Sequence, residues 1–134
     1  MPLYKIDGKR LKLIKEKSFS LEKDLQKLTE ENLETLFGLE FVQTEFQLND
    51  RFIDTLAFNP ETKSFVIIEY KKDKSFSVVD QGYAYLSLML SNKGECILEY
   101  NEQKDKTLHR KDVDWTQSKV IFISLTSRLI KLKQ

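Results

Sequence analysis

The chain has 134 residues, of which 22 are Lys or Arg and 21 Asp or Glu, for a formal net charge of +1. That length builds one hydrophobic core but not two, so residues 1–134 are expected to form a single domain. A near-neutral total gives no global electrostatic case for nucleic acid, the lone Cys96 excludes an internal disulfide and a cysteine-built zinc site, and no apolar run approaches the roughly 18 residues of a membrane span.

The opening stretch alternates apolar and polar residues around Asp7-Gly8, a dipeptide suited to a two-residue turn, and predicts an N-terminal hairpin. It lacks the apolar core of a signal peptide, which predicts a cytoplasmic protein. Ser18 or Ser20 then caps a helix over 19–37, whose leucines recur at helical spacing and which Gly38 is placed to end. Strands are predicted at 40–47, 51–58 and 64–71, joined by turns at Asn49-Asp50 and across 59–63, and these form a meander. After a charged loop, residues 78–91 are apolar over most of a helical circumference, as expected of a helix laid on a sheet. Strands at about 95–100 and 119–125 complete an α/β (α+β) chain with a mixed central sheet.

Alternation along the strands places the chemistry. In 51–58 it puts Phe52, Asp54, Leu56 and Phe58 on one face and Arg51, Ile53, Thr55 and Ala57 on the other, so Asp54 is expected among core-type residues. In 64–71 it puts Glu69 and Lys71 on the face of Phe65 and Ile67. If Phe58 pairs with Phe65, the antiparallel register sets Asp54 opposite Glu69, with β-carbons about 4.5–5.5 Å apart, and the pair, with Lys71, is expected on the face covered by the 19–37 helix. Two carboxylates so opposed repel, and one takes up a proton unless a cation lies between them. A hard divalent ion held by one or two carboxylates and a substrate phosphate suits this pair, and an ammonium beside it could orient the attacking water of a phosphodiester hydrolysis.

Asp54, fourteen intervening residues, and Glu69-Tyr70-Lys71 at the end of an apolar strand resemble the signature of the PD-(D/E)XK nuclease superfamily, with its restriction-endonuclease-like core of helix, three-stranded meander, helix and strand. Gln81 and Tyr85 match the Gln-x-x-x-Tyr motif on the next helix of its RecB-like and NucS-like branches. The segments EKDLQKLTEENLETLFG, RFIDTLAF, FVIIEYKK and DQGYAYLSLML together resemble a bacterial family of uncharacterised restriction-endonuclease-like proteins, sometimes labelled predicted transport proteins. The resemblance implies a Mg²⁺- or Mn²⁺-dependent DNA nuclease. Asp54, Glu69 and the Tyr70 carbonyl would hold metal, Glu30 (or Glu34) would act through a metal-bound water, and Lys71 would position the nucleophile. Gln81 and Tyr85 would support them, and Arg51, Lys72 and Lys74 are the phosphate-contact candidates.

Plainer readings compete with each of these. Glu69 and Lys71 also read as a solvated strand-end ion pair, Glu30 and Glu34 as a solvated helix face, and Gln81 and Tyr85 as packing. At the level of the whole chain, the alternative to an enzyme is a nuclease-fold binding module, idle or completed by a second domain or partner protein. The resemblance departs over residues 125–134, where the expectation is a truncated or frameshifted end. A sheet that lost a covering helix in this way would expose apolar surface and favour a homodimer.

Overall fold

The computed structural model describes residues 21–71 and 78–124. Helices α1 (Leu21–Glu31) and α2 (Leu33–Phe37) precede strands β1 (Glu40–Leu48), β2 (Arg51–Asn59) and β3 (Ser64–Lys71). Helices α3 (Val78–Leu90) and α4 (Lys93–Lys104), two short 3-10 turns and strand β4 (Lys119–Ser124) follow. The expected hairpin at the N-terminus, its capping serines, Lys72, Lys74 and the 125–134 tail lie outside the described residues.

The four strands make one mixed sheet in the order β1-β2-β3-β4, antiparallel except for the parallel β3–β4 pair. Helices cover both faces. Leu25 of α1 and Leu33 of α2 pack with Ala57, Val66, Ile68 and Tyr70, while Met89 of α3 and Cys96 of α4 pack with Leu56, Phe58, Phe65 and Ile67. This two-sided cover explains the near-continuous apolar run of β3, buried from Ser64 to Tyr70.

The turns follow their local chemistry. Asn49 takes the left-handed conformation (φ 58°) in the two-residue β1–β2 turn, and the Asn59 side chain accepts from the Glu61 N–H at 2.9 Å in the turn before β3. Gly38, at φ 67°, caps α2 and donates to the Glu34 carbonyl.

Three expectations are corrected. The segment predicted as a strand at 95–100 is part of α4: Cys96, Ile97 and Tyr100 are buried at helical spacing, and Leu98, which an alternating strand would align with Cys96 and Tyr100, is 54% exposed. The predicted helix over 19–37 breaks at Asn32, so Glu34 belongs to α2, exposed, and does not continue the face that carries Glu30. Alternation also fails inside β2. Leu56 and Phe58 share a face as expected, the one covered by α3 and α4, yet Ile53 joins them and Phe52 is 56% exposed. The reversal falls at Asp54, between the Thr44–Thr55 and Phe46–Ile53 partners, where β1 presents Glu45 at φ 50°.

Candidate active site

The β2–β3 ladder runs in the expected register, Phe58 opposite Phe65, and ends at Thr55 opposite Ile68. Beyond that point β2 stays paired with β1 as far as Arg51, and β3 stays paired with β4 as far as Lys71. The two strands therefore part company at Asp54 and Glu69. Divergence removes backbone partners from a buried strand pair, and those groups must be satisfied in another way. The carboxylates do this reciprocally. The Asp54 N–H donates to Glu69 Oε2 at 2.8 Å, and the Tyr70 N–H donates to Asp54 Oδ2 at 3.1 Å.

Glu69 is only 5% exposed. Burial first, and the facing Asp54 charge second, raise its carboxyl from 4.5 to about 8, against the lowering effect of the Asp54 N–H and the Tyr85 hydroxyl. Asp54 is raised as well, chiefly by burial, while the Tyr70 N–H opposes the shift. Two acids weakened chiefly by burial hold a proton more tightly than free carboxyls do, and a bound cation would displace it to solvent.

Glu69 lies on the α3 side of the sheet, cross-strand from Phe122, and not on the α1 side where the pair was expected. The physical reason is its parity with Phe65 and Ile67, which pack against α3 and α4. Tyr85 of α3 reaches it from that side, with its own hydroxyl raised to about 12 by burial and by the Glu69 charge. The Arg51 guanidinium lies 5.6 Å from the centroid of the Tyr85 ring, which brings this phosphate candidate to the same end of the sheet. Lys71 shares the face of Glu69, but its ammonium sits 6.0 Å from the Phe122 ring centroid, and among the described residues it forms no ion pair with either acid. Gln81 Oε1 is shielded from solvent with no donor among the described residues, an unsatisfied acceptor on the helix that carries Tyr85.

Glu30 stands on the α1 side, one residue removed from Asp54. Its Oε2 accepts from the Thr55 hydroxyl at 2.6 Å and from Gln26 Nε2 at 3.1 Å, and the same Nε2 donates to the Asp54 carbonyl at 2.9 Å. Because the one Thr55 proton goes to Glu30, the Tyr70 hydroxyl 3.0 Å away must be the donor to Thr55. Gln26, 6% exposed, is the node that sequence reasoning missed. Thr44 Oγ1 and Glu45 Oε2 also lie within 3.2 Å of its Nε2, so two N–H groups serve four acceptors. The available signal was its position four residues before Glu30, on the same helical face. Lys23, itself exposed, bonds Glu45 at 3.0 Å on the solvent side of the cluster.

No protein-family model matches the chain, and no solved structure does. An uncharacterised protein of Haemophilus influenzae is 56% identical over 115 residues. Those residues are 86% of this chain and 38% of that protein, so the chain spans well under half the length of its relative.

A divalent cation fits part of this arrangement. Each carboxylate spends one oxygen on a backbone N–H, and the burial that raises both acids, with the Asp54 charge that further raises Glu69, is what a cation between them would offset. Among the described residues, however, no three His, Cys, Asp or Glu side chains converge as a metal-holding group. A magnesium ion here would rely on two carboxylates, the Tyr70 carbonyl, waters and substrate, which is within its habits.

Proposed function

We propose that the chain is a metal-dependent phosphodiesterase of the PD-(D/E)XK type, acting on DNA through a restriction-endonuclease-like core. The observation that carries this reading is the pair of bonds at the fork between β2 and β3, the Asp54 N–H to the Glu69 carboxylate and the Tyr70 N–H to the Asp54 carboxylate. A bound Mg²⁺ or Mn²⁺ would be held by Asp54, Glu69 and the Tyr70 carbonyl, and would supply a Lewis acid and an acidified water. The chain's own groups do the rest. Tyr85 holds Glu69 in place through its hydroxyl, and Gln26 fixes the Asp54 backbone and the Glu30 carboxylate together. Lys71, on the Glu69 face, needs only a side-chain rotation off Phe122 to direct its ammonium toward substrate oxygen. Arg51, exposed beside Tyr85, is the phosphate contact this geometry favours.

The test is cleavage of single-stranded, flapped and duplex DNA with and without Mg²⁺ or Mn²⁺. Loss of cleavage in both Asp54→Ala and Lys71→Ala is expected, and activity surviving in both refutes the assignment. A second reading, a nuclease-fold binding module, is favoured by Lys71 resting on Phe122 and by the lack of a third metal-holding side chain among the described residues. Titration calorimetry with Mn²⁺ separates the two: the enzyme binds the ion, and an idle site does not.

A further inference from the structure

A second cleft, of about 720 Å³, opens on the α4 side and is lined by Lys93, Ile97, Leu98, Asn101, Arg110 and Trp115. It is remote from the carboxylates. Trp115 stacks on Phe65 at 5.5 Å between centroids, near the start of β3, and Glu69 lies four residues further on, roughly 13 Å along the strand. Two cations and no acid line it, and among the described residues neither Lys93 nor Arg110 has an ion-pair partner. The walls are held in place. Asn101 bonds both backbone groups of Leu108, at 2.7 and 3.2 Å, which fixes the loop leading to Arg110, and the Asp114 N–H donates to the Lys63 carbonyl at 2.8 Å, which fixes the turn carrying Trp115.

We propose that this cleft binds a nucleotide, as a phosphate joined to a flat ring. The volume falls within the range of small-molecule sites. Two cations match the two charges of a phosphate dianion, whereas a carboxylate brings only one. The flat body has apolar walls in Ile97 and Leu98, beside an indole stacked on Phe65 whose ring centroid lies 5.6 Å from the Lys93 ammonium. The inference does not rest on the proposed hydrolysis, since none of these residues belongs to the carboxylate site.

Trp115 is the sole tryptophan, so its fluorescence reports the cleft directly. The full chain, held in chelator so that no metal contributes, is titrated with thymidine monophosphate, thymidine, inorganic phosphate, benzoate and a short 5′-phosphorylated oligonucleotide. The expected result is a saturable change with the monophosphate. Lys93→Met and Arg110→Gln should each weaken it about tenfold, the loss of one charge-assisted contact, while Lys93→Arg keeps it. Tighter binding of the oligonucleotide identifies a strand end as the source, and tighter binding of the mononucleotide a free nucleotide. No saturable change, equal binding of thymidine, phosphate or benzoate, or unaltered binding in both charge-removing variants overturns the proposal. Loss of DNA cleavage in Asp54→Ala bears only on the other site.

Discussion

The two halves of the β2–β3 pair solve the same problem differently. From Thr55 to Asn59 the strands satisfy each other by a regular backbone ladder with buried side chains on both faces. From Asp54 outward each strand keeps its outer neighbour, and the gap between them is bridged by carboxylates bonded to backbone N–H groups. The first half spends its polar groups on stability. The second places a buried acid, Glu69, and a half-buried one, Asp54, each with an oxygen not committed to the backbone, where a cation or a proton must settle the charge. A fold can therefore build a reactive site by opening a ladder, provided side chains take over the hydrogen bonds that opening removes.

That contrast is best broken in the closed half. Leu56→Ala, at a fully buried position, should cost about 2–5 kcal/mol in urea unfolding, and a cost under about 1 kcal/mol would mean that the ladder half does not anchor the core. Thr55→Val, at the boundary, deprives the half-buried Glu30 and the buried Tyr70 of their shared hydroxyl, with an expected cost of about 1–3 kcal/mol by the same measurement.

In the open half the signature is pH dependence. Glu69 titrates near 4.5 unfolded and about 8 folded, so the native state holds its proton more tightly. Its contribution to stability is present in full below pH 4.5 and is lost as pH rises toward about 8. Urea midpoints of the metal-free protein should fall across that window, and Glu69→Gln, whose amide oxygen can still accept from the Asp54 N–H, should flatten the fall. A profile of equal slope in wild type and variant would remove Glu69 as the cause. Adding Mn²⁺ at pH 8 should raise the melting temperature of the wild type and leave Asp54→Ala unchanged, because the ion replaces the proton only where both acids remain.

The smallest effect lies outside both halves. Gly38→Ala forces a side chain into the left-handed conformation at φ 67° with nothing nearby to clash, so thermal unfolding should register only about 1 kcal/mol. This variant is the control for general destabilisation, and its metal response should match the wild type.

Local chemistry in the sequence determined the meander, both turns, the Phe58–Phe65 register and hence the meeting of Asp54 with Glu69, because strand period and turn residues act within a few positions of one another. The resemblance to a known motif singled out Tyr85 as a supporting residue, but its bond to Glu69 emerges only in the structure. Tertiary structure alone decided the rest. Residues 95–100 carry apolar side chains compatible with either period, and only packing of Cys96, Ile97 and Tyr100 against the sheet selects the helix. The reversal at Asp54 falls where Glu45 of the neighbouring strand takes φ 50°, and Gln26 acquires its role only when α1 lies over both. The fork itself reflects which neighbour keeps each strand, β1 for β2 and β4 for β3, and β4 lies some fifty residues away in the chain, beyond the reach of any local pattern.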